Sequence, residues 1–220
     1  MYNKKPIDNG AGLVTTGAEL TAASKVLIMT HGRGANAADI LTLAEYLPVE
    51  DFTLLAPQAD GNSWYPYSFM EPPVRNEPWL SASLDRLQNL VGGLRAKGIS
   101  DDRIYFLGFS QGACLTLEFV TRHATGYGGV VAFTGGLIGD KIYTNNYKGD
   151  FAGTPVFIGT SDPDPHVPVA RVRATTTLLR GMNADVTEKV YPGMGHTISS
   201  DEIQQARRVV FREMADSTTR

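Results

Sequence analysis

The sequence contains a single cysteine among 220 residues, Cys114, so no disulfide can form within the chain. It lacks any uninterrupted apolar stretch long enough to cross a bilayer, and no apolar stretch follows the lysines near its start, as one would in a signal peptide. These absences predict a cytoplasmic protein in a reducing compartment. Positive charge is scarce too: 20 Lys and Arg stand against 23 Asp and Glu. Nucleic acid is therefore not an expected partner.

Signatures of metal or cofactor binding are missing as well. The four histidines show neither His-x-x-x-His nor Cys-His ligand spacing. Neither a phosphate-binding loop nor a dinucleotide fingerprint occurs. We therefore expect a protein that works without a metal ion or an organic cofactor, and whose chemistry comes from its own side chains.

What the sequence does contain is a regular alternation of short apolar runs and stretches of helical periodicity. Lys25–Thr30 is too short for a helix and suits a strand buried on both faces. Trp79–Lys97 places Leu80, Leu84 and Leu87 on one stripe, as an amphipathic helix does. The alternation, without internal repeats, predicts an α/β fold: one doubly wound, mainly parallel sheet with helices on both faces. We expect the full chain to form one domain.

The predicted boundaries complete this picture. Residues 1–24 form an N-terminal extension, in which Ala11–Thr16 is a marginal edge strand. Further strands are predicted at Phe52–Ala56, Val130–Phe133, Pro155–Gly159 and Val186–Tyr191, and further helices after an N-cap at Asp39, at Val169–Met182 and at Asp201–Met214. The connection from Gly136 to Gly153 is too short for a large helical lid, so no lid domain is expected.

One segment predicts chemistry. The apolar run before Ser110 leads directly into Gly-Phe-Ser-Gln-Gly and then into small residues that suit a helix start. In a nucleophile elbow the serine occupies a strained turn between strand and helix, so the residues two before and two after it must be small. Gly108 and Gly112 meet that need. Ser110 would then project from the carboxyl edge of the sheet, beside the amide of Gln111 at a helix N-terminus.

A nucleophilic serine needs a base, and the base needs an acid that orients it. His196 follows a predicted strand and two glycines, and it is the favoured base. His166 is the histidine hardest to dismiss beside it, because it shares a strand-end loop with two candidate acids, Asp162 and Asp164. The order of serine, acid and histidine along the chain matches that of α/β-hydrolases and excludes the orders of chymotrypsin and subtilisin.

Three motifs together resemble the phospholipase/carboxylesterase family of α/β-hydrolases, which includes bacterial carboxylesterases and acyl-protein thioesterases. They are His-Gly-Arg-Gly at 31–34, Gly-Phe-Ser-Gln-Gly at 108–112, and Asp-x-x-Val-Pro followed by a late Gly-x-x-His. The resemblance extends from Lys25 to the last helix. It implies an α/β-hydrolase fold and a serine hydrolase.

The resemblance also implies residue roles. Ser110 would be the nucleophile and His196 the general base, and the backbone amides of Arg33 and Gln111 would form the oxyanion hole. The implied activity is hydrolysis of carboxylic esters or thioesters through an acyl-enzyme. A lysophospholipase, a lactonase or a peptidase with the same triad is the alternative among enzymes. A binding module that keeps the fold without turnover is the alternative from another class.

Two positions depart from the family pattern. Asp-x-x-Val-Pro read backward from Pro168 selects Asp164, whereas Gly-x-x-Asp-Pro read forward from Gly159 selects Asp162. Asp164 is favoured, because the Val-Pro helix start fixes the register of what precedes it. Arg33 stands where the thioesterases usually carry leucine. Our hypothesis is that its guanidinium contacts a polar or anionic part of the substrate, and the alternative is a solvated side chain.

The substrate is the least determined feature. Residues 57–78 combine several prolines with an unusual aromatic content, which suits either a loop pinned to the body by its rings or a wall of an apolar substrate pocket. The candidate lining residues are Trp64, Tyr65, Phe69 and Met70. The expected partner is a small ester or thioester, and a second copy of the chain in a homodimer is an alternative partner.

Overall fold

The computed structural model describes residues 7–8 and 12–212 of the chain. Within these residues eight strands form one sheet in the order β1-β2-β4-β3-β5-β6-β7-β8. The strands are β1 Ile7–Asp8, β2 Leu13–Gly17, β3 Lys25–Thr30, β4 Phe52–Pro57, β5 Ile104–Phe109, β6 Gly129–Phe133, β7 Pro155–Asp162 and β8 Asp185–Pro192. The α-helices are α1 Ala37–Leu41, α2 Trp79–Ala96, α3 Gln111–Arg122, α4 Val169–Gly181 and α5 Ser200–Val209.

The sheet is mainly parallel and is covered on both faces, as predicted. Only β1 and β2 run antiparallel to their neighbours. Successive side chains of β3 enter two separate cores: Val26 and Ile28 pack with α2, α3 and α4, whereas Leu27 and Met29 pack with α1 and α5. This period of two explains why every residue from Val26 to Met29 is apolar, since a strand between two helical layers has no solvent face.

Three boundaries differ from the prediction by three residues or more. The N-cap of the first helix is Asn36, not Asp39: the Asn36 side chain accepts the Asp39 N–H at 3.0 Å, and the Asp39 carboxylate accepts the Asn36 N–H at 2.9 Å. This reciprocal pair is a capping box, so the predicted N-cap was wrong by three residues. Strand β7 continues to Asp162, beyond the predicted end at Gly159. The last helix ends at Val209, so the predicted end at Met214 was wrong: Val210 and Phe211 already lie in a turn and a bend. Met214 itself and Ala11, the predicted start of the edge strand, lie outside the described residues.

The topology brings the predicted motifs to one edge of the sheet. Because β3, β5, β7 and β8 are parallel, the segments that follow them meet at their shared carboxyl ends. Between β6 and β7 the chain forms only a short 3₁₀ turn, Thr144–Asn146, and no helical lid. In the described part of the chain, no helix is both long and apolar enough to cross a membrane.

Candidate active site

Ser110 occupies the strained turn that a nucleophile elbow requires. Its φ and ψ are 54° and −119°, a conformation that L-residues rarely adopt. The turn closes so tightly that a Cβ on Gly108 would lie 2.7 Å from the backbone of Ala113. A Cβ on Gly112 would overlap the carbonyl oxygens of Thr30 and His31. Both glycines are therefore required by close backbone approach between β5, β3 and α3.

Three side chains form a continuous hydrogen-bonded chain at the carboxyl edge. The Ser110 hydroxyl donates to His196 Nε2 at 2.8 Å, and His196 Nδ1–H donates to Asp164 Oδ2 at 2.8 Å. The other oxygen, Asp164 Oδ1, accepts the backbone N–H groups of His166 and Val167, each at 2.8 Å. Every residue of the serine, histidine and acid set predicted from the sequence is thus in contact with the next.

Asp164 is held as a carboxylate. Burial of its side chain acts to raise its pKa, but the hydrogen bonds from His196 and from the two amides outweigh that effect and lower the pKa. A carboxylate that stays ionised can orient the imidazole and stabilise its cation.

Asp162, the rival acid, lies at the exposed end of β7 and serves the site through its backbone. Its carbonyl accepts the N–H of Gly193 at 2.9 Å, and the hydroxyl oxygen of Ser161 accepts the N–H of Gly195 at 2.9 Å. These two bonds attach the glycine-rich loop that carries His196 to the end of β7. The motif read forward from Gly159 therefore points to Asp162, whose backbone anchors the loop that carries His196.

The two amides assigned to an oxyanion hole are free to donate. In the described part of the chain, neither the Arg33 N–H nor the Gln111 N–H has an acceptor, whereas the neighbouring N–H groups of Gly34 and Ser110 are bonded to Asn62 and Phe133. The Gln111 N–H also stands at the first turn of α3, where the helix dipole favours negative charge. These two amides can hold a developing oxyanion.

The side chains of the same two residues bind the backbone of the aromatic-rich residues 57–78, here called the aromatic segment, a role that the sequence did not predict. Three donors converge on the Tyr65 carbonyl oxygen: Arg33 Nη2 at 2.9 Å, Gln111 Nε2 at 2.8 Å and the Ser63 hydroxyl at 2.9 Å. Arg33 also donates to the carbonyls of Pro66 and Tyr67, at 2.8 and 2.7 Å. Arg33 is exposed, but it is not merely a solvated side chain.

A cavity of about 430 Å³ opens beside Ser110. It is lined by Arg33, Tyr65, Pro66, Tyr67, Ser68, Phe69, Ser110, Gln111, Cys114, Pro165, His166, Val167 and His196. Tyr65 and Phe69 are therefore lining residues, as expected from the sequence. His166, Cys114 and Tyr67 were not among the predicted lining residues. The sequence had indicated His166 only as a possible base, because it shares a strand-end loop with Asp162 and Asp164.

Trp64 and Met70, the other two predicted lining residues, do not line the cavity. Trp64 is 1% exposed, because its indole N–H donates to the His31 carbonyl at 2.8 Å and its ring packs on the His31 imidazole. Met70 is half-buried against the main core. The prediction was wrong for these two residues, since an aromatic-rich sequence does not reveal which rings turn inward.

Comparison with known proteins assigns the chain to a family. The family profile described as Phospholipase/Carboxylesterase matches residues 14–211. The chain belongs to the phospholipase/carboxylesterase family. A solved family structure from Dyadobacter fermentans is 51% identical, with a TM-score of 0.89, over 91% of this chain and 96% of that one.

Relatives of this phospholipase/carboxylesterase family member include two fungal acyl-protein thioesterases. Acyl-protein thioesterase 1 of Gibberella zeae is 30% identical over 145 residues, which are 64% of this chain and 62% of the relative. The chain thus spans less than two thirds of that protein's length. Acyl-protein thioesterase 1 of Saccharomyces cerevisiae is 27% identical over 90% of this chain and 96% of the relative. Family membership confirms both the resemblance of the motifs and the predicted α/β-hydrolase fold.

Proposed function

We propose that this chain is a serine hydrolase that cleaves carboxylic esters, including thioesters, through an acyl-enzyme. The single observation that carries the proposal is the hydrogen-bonded series Ser110, His196 and Asp164, which opens into a cavity. The names of the relatives, carboxylesterase and acyl-protein thioesterase, support the same reaction class. A cytoplasmic location, a single domain and a homodimer stay predictions from the sequence.

In the proposed mechanism, the Ser110 hydroxyl gives its proton to His196 Nε2 as its oxygen attacks the substrate carbonyl. Asp164 keeps the Nδ1–H tautomer in place and stabilises the imidazolium that forms. The oxyanion accepts hydrogen bonds from the amides of Arg33 and Gln111. The imidazolium then protonates the leaving alcohol or thiol. Water, deprotonated by His196, attacks the acyl-enzyme and releases the acid and free Ser110.

A fluorophosphonate probe followed by mass mapping tests this proposal. We expect one covalent adduct on Ser110 in the folded protein and none in Ser110→Ala. A panel of 4-nitrophenyl esters with graded acyl length then measures turnover, which Ser110→Ala should abolish. A folded wild-type protein that neither reacts at Ser110 nor cleaves any ester would support instead the binding module that keeps the fold without turnover.

A further inference from the structure

The cavity beside Ser110 has one positively charged lining side chain, Arg33, and no negatively charged one. None of its lining residues is aspartate or glutamate, although the chain as a whole carries a net charge of −3. Arg33 follows β3 and His166 follows β7, and β5, which leads into Ser110, lies between these strands in the sheet. Arg33 and His166 therefore approach Ser110 from opposite sides. A cleft with charge of one sign concentrates ligands of the opposite sign.

The Arg33 guanidinium is a fixed cation. Its three hydrogen bonds end on the neutral carbonyl oxygens of Tyr65, Pro66 and Tyr67. Across the described ranges, no carboxylate forms an ion pair with it. Arginine has five N–H donors, so two remain for a ligand. Because three bonds already hold the side chain, binding an anion costs little further side-chain entropy.

His166 offers a second donor across the cavity. Its backbone N–H is bonded to Asp164, which fixes the loop, while its exposed ring has no hydrogen-bond partner in the described parts of the chain. The ring stands edge-on to His196, with 4.8 Å between the ring centroids. An N–H of this ring can therefore reach a group bound close to the reacting atoms.

We propose that the substrate carries a carboxylate in addition to the ester or thioester that is cleaved, and that Arg33 binds it, while His166 lines the opposite side of the cavity. This inference rests on the proposed function and names its substrate class. A charge-assisted hydrogen bond between guanidinium and carboxylate is about twice as strong as a neutral one. The cavity volume of about 430 Å³ suits a small dicarboxylic monoester.

Matched substrate pairs separate recognition by Arg33 from its contacts with the aromatic segment. The first pair is the 4-nitrophenyl monoester of adipic acid and the corresponding adipamate, which places the charge on the acyl side. The second pair is the butyrate ester of 4-hydroxybenzoate and that of 4-hydroxybenzamide, which places it on the leaving group. The readout is the ratio of kcat/KM for the charged member to that for the neutral member. The pair with the larger ratio identifies the side that carries the carboxylate.

Wild-type protein should prefer the charged member of one pair at least tenfold, and the preference should fall at high salt.

Arg33→Leu should reduce the ratio about tenfold to a hundredfold, which is the range for hydrogen bonds to charged groups. Arg33→Lys should keep most of the ratio, because it keeps the charge, even where both rates fall. His166→Gln, on the opposite side of Ser110, should change the ratio by less than about threefold. Arg75→Leu is the matched control: Arg75 packs on the Tyr67 ring outside the cavity lining, and its loss should leave the ratio unchanged.

Equal rates for both members of both pairs in the wild-type protein would overturn the proposal, and so would an Arg33→Leu variant that slows both members by the same factor. The second outcome would limit Arg33 to supporting the aromatic segment. Turnover of the neutral esters reports the proposed hydrolase function separately. Calorimetric binding of adipate and adipamide to Ser110→Ala tests the carboxylate site without turnover, and equal affinities there would also overturn it.

Discussion

The two sides of the cavity are held by different kinds of contact. On one side, Ser110, His196 and Asp164 are joined by hydrogen bonds from side chain to side chain. On the other, the aromatic segment is held by side chains that bond to its backbone, with the Tyr65 carbonyl as the common acceptor of Arg33 and Gln111. The hydrogen bonds of the first side require particular side chains at particular positions. Those of the second side require only that the fold bring backbone carbonyls close to Arg33 and Gln111.

This difference predicts where substitutions will act. Replacing a residue of the first side removes a chemical group that the reaction uses. Replacing a residue of the second side leaves the reacting groups in place. It shifts the aromatic segment, which forms this wall of the cavity, and the oxyanion-hole amides. Effects on rate should therefore be larger on the first side, and effects on stability should be comparable on both.

After Ser110→Ala, which removes the nucleophile, the largest effect is expected for Asp164→Asn. Loss of the carboxylate favours the wrong histidine tautomer and removes the charge that stabilises the imidazolium, so kcat should fall about a thousandfold to ten-thousandfold. The matched control is Asp162→Asn, where only the backbone carbonyl serves the site, and its kcat should stay within about threefold of wild type. Ester hydrolysis of the two purified variants decides between them. The reverse pattern would make Asp162 the catalytic acid.

The sequence predicted the first side well because its signals are local. Gly108 and Gly112 are required by the turn itself, and the spacing from Asp164 to the Val-Pro helix start is fixed within a few residues. What could not be foreseen was that β7 continues through Thr160 and Ser161, because polar residues there suit a loop equally well.

The second side was predicted poorly because its contacts are long-range. Arg33 bonds to carbonyls 32 to 34 residues further along the chain, and any residue type supplies a carbonyl. Composition indicated an aromatic wall, but the burial of Trp64 depends on the free acceptor that the His31 carbonyl provides. Periodicity carries no information about such pairs.

A second large effect is expected at the junction of the two sides. Gly112→Ala adds a Cβ that overlaps the carbonyls of Thr30 and His31, and these backbone atoms cannot rotate away as a flexible side chain could. We expect a destabilisation of about 1–3 kcal/mol or more, and a fall in kcat of at least tenfold as Ser110 shifts. Gly92→Ala is the control, because it lies inside α2 with no heavy atom within 4 Å of the added Cβ, and it should stabilise the protein by about 0.5–1 kcal/mol. Denaturant unfolding measures both, and equal stabilities would contradict the steric explanation.

A smaller effect on rate is expected for Gln111→Leu, which keeps the oxyanion-hole amide but removes the side chain. The buried backbone N–H of Trp64 donates to Gln111 Oε1 at 3.0 Å and would lose this acceptor. The loss should lower the free energy of unfolding by about 1–3 kcal/mol. Movement of the wall should lower kcat about tenfold with little change in KM, since the oxyanion forms only during the reaction. Gln88→Leu is the control: Gln88 Oε1 is buried without a partner, so its loss should cost almost nothing. A Gln111→Leu enzyme with raised KM and unchanged kcat would place the effect in substrate binding.

The smallest effect is expected for Tyr65→Phe, because Tyr65 serves the wall through its carbonyl and not through its hydroxyl. In the described part of the chain, the hydroxyl has no hydrogen-bond partner, and its polar neighbour is the Cys114 thiol, a weak one. Removing an unsatisfied buried hydroxyl relieves a desolvation cost, so stability should stay equal to wild type or rise by about 1 kcal/mol, and kcat should not change.

Tyr147→Phe is the matched control for Tyr65→Phe. The Tyr147 hydroxyl donates to the buried carboxylate of Glu118 at 3.0 Å, so its removal leaves a charged acceptor short of a donor and should cost about 1–3 kcal/mol. For a chain of this length, 1 kcal/mol corresponds to a Tm shift of about 2–4 °C, which thermal unfolding resolves. If Tyr65→Phe destabilised the protein as much as Tyr147→Phe, the hydroxyl would be a structural contact of the wall. A Tyr65→Phe variant that kept its stability but lost kcat would instead place the hydroxyl in the reaction.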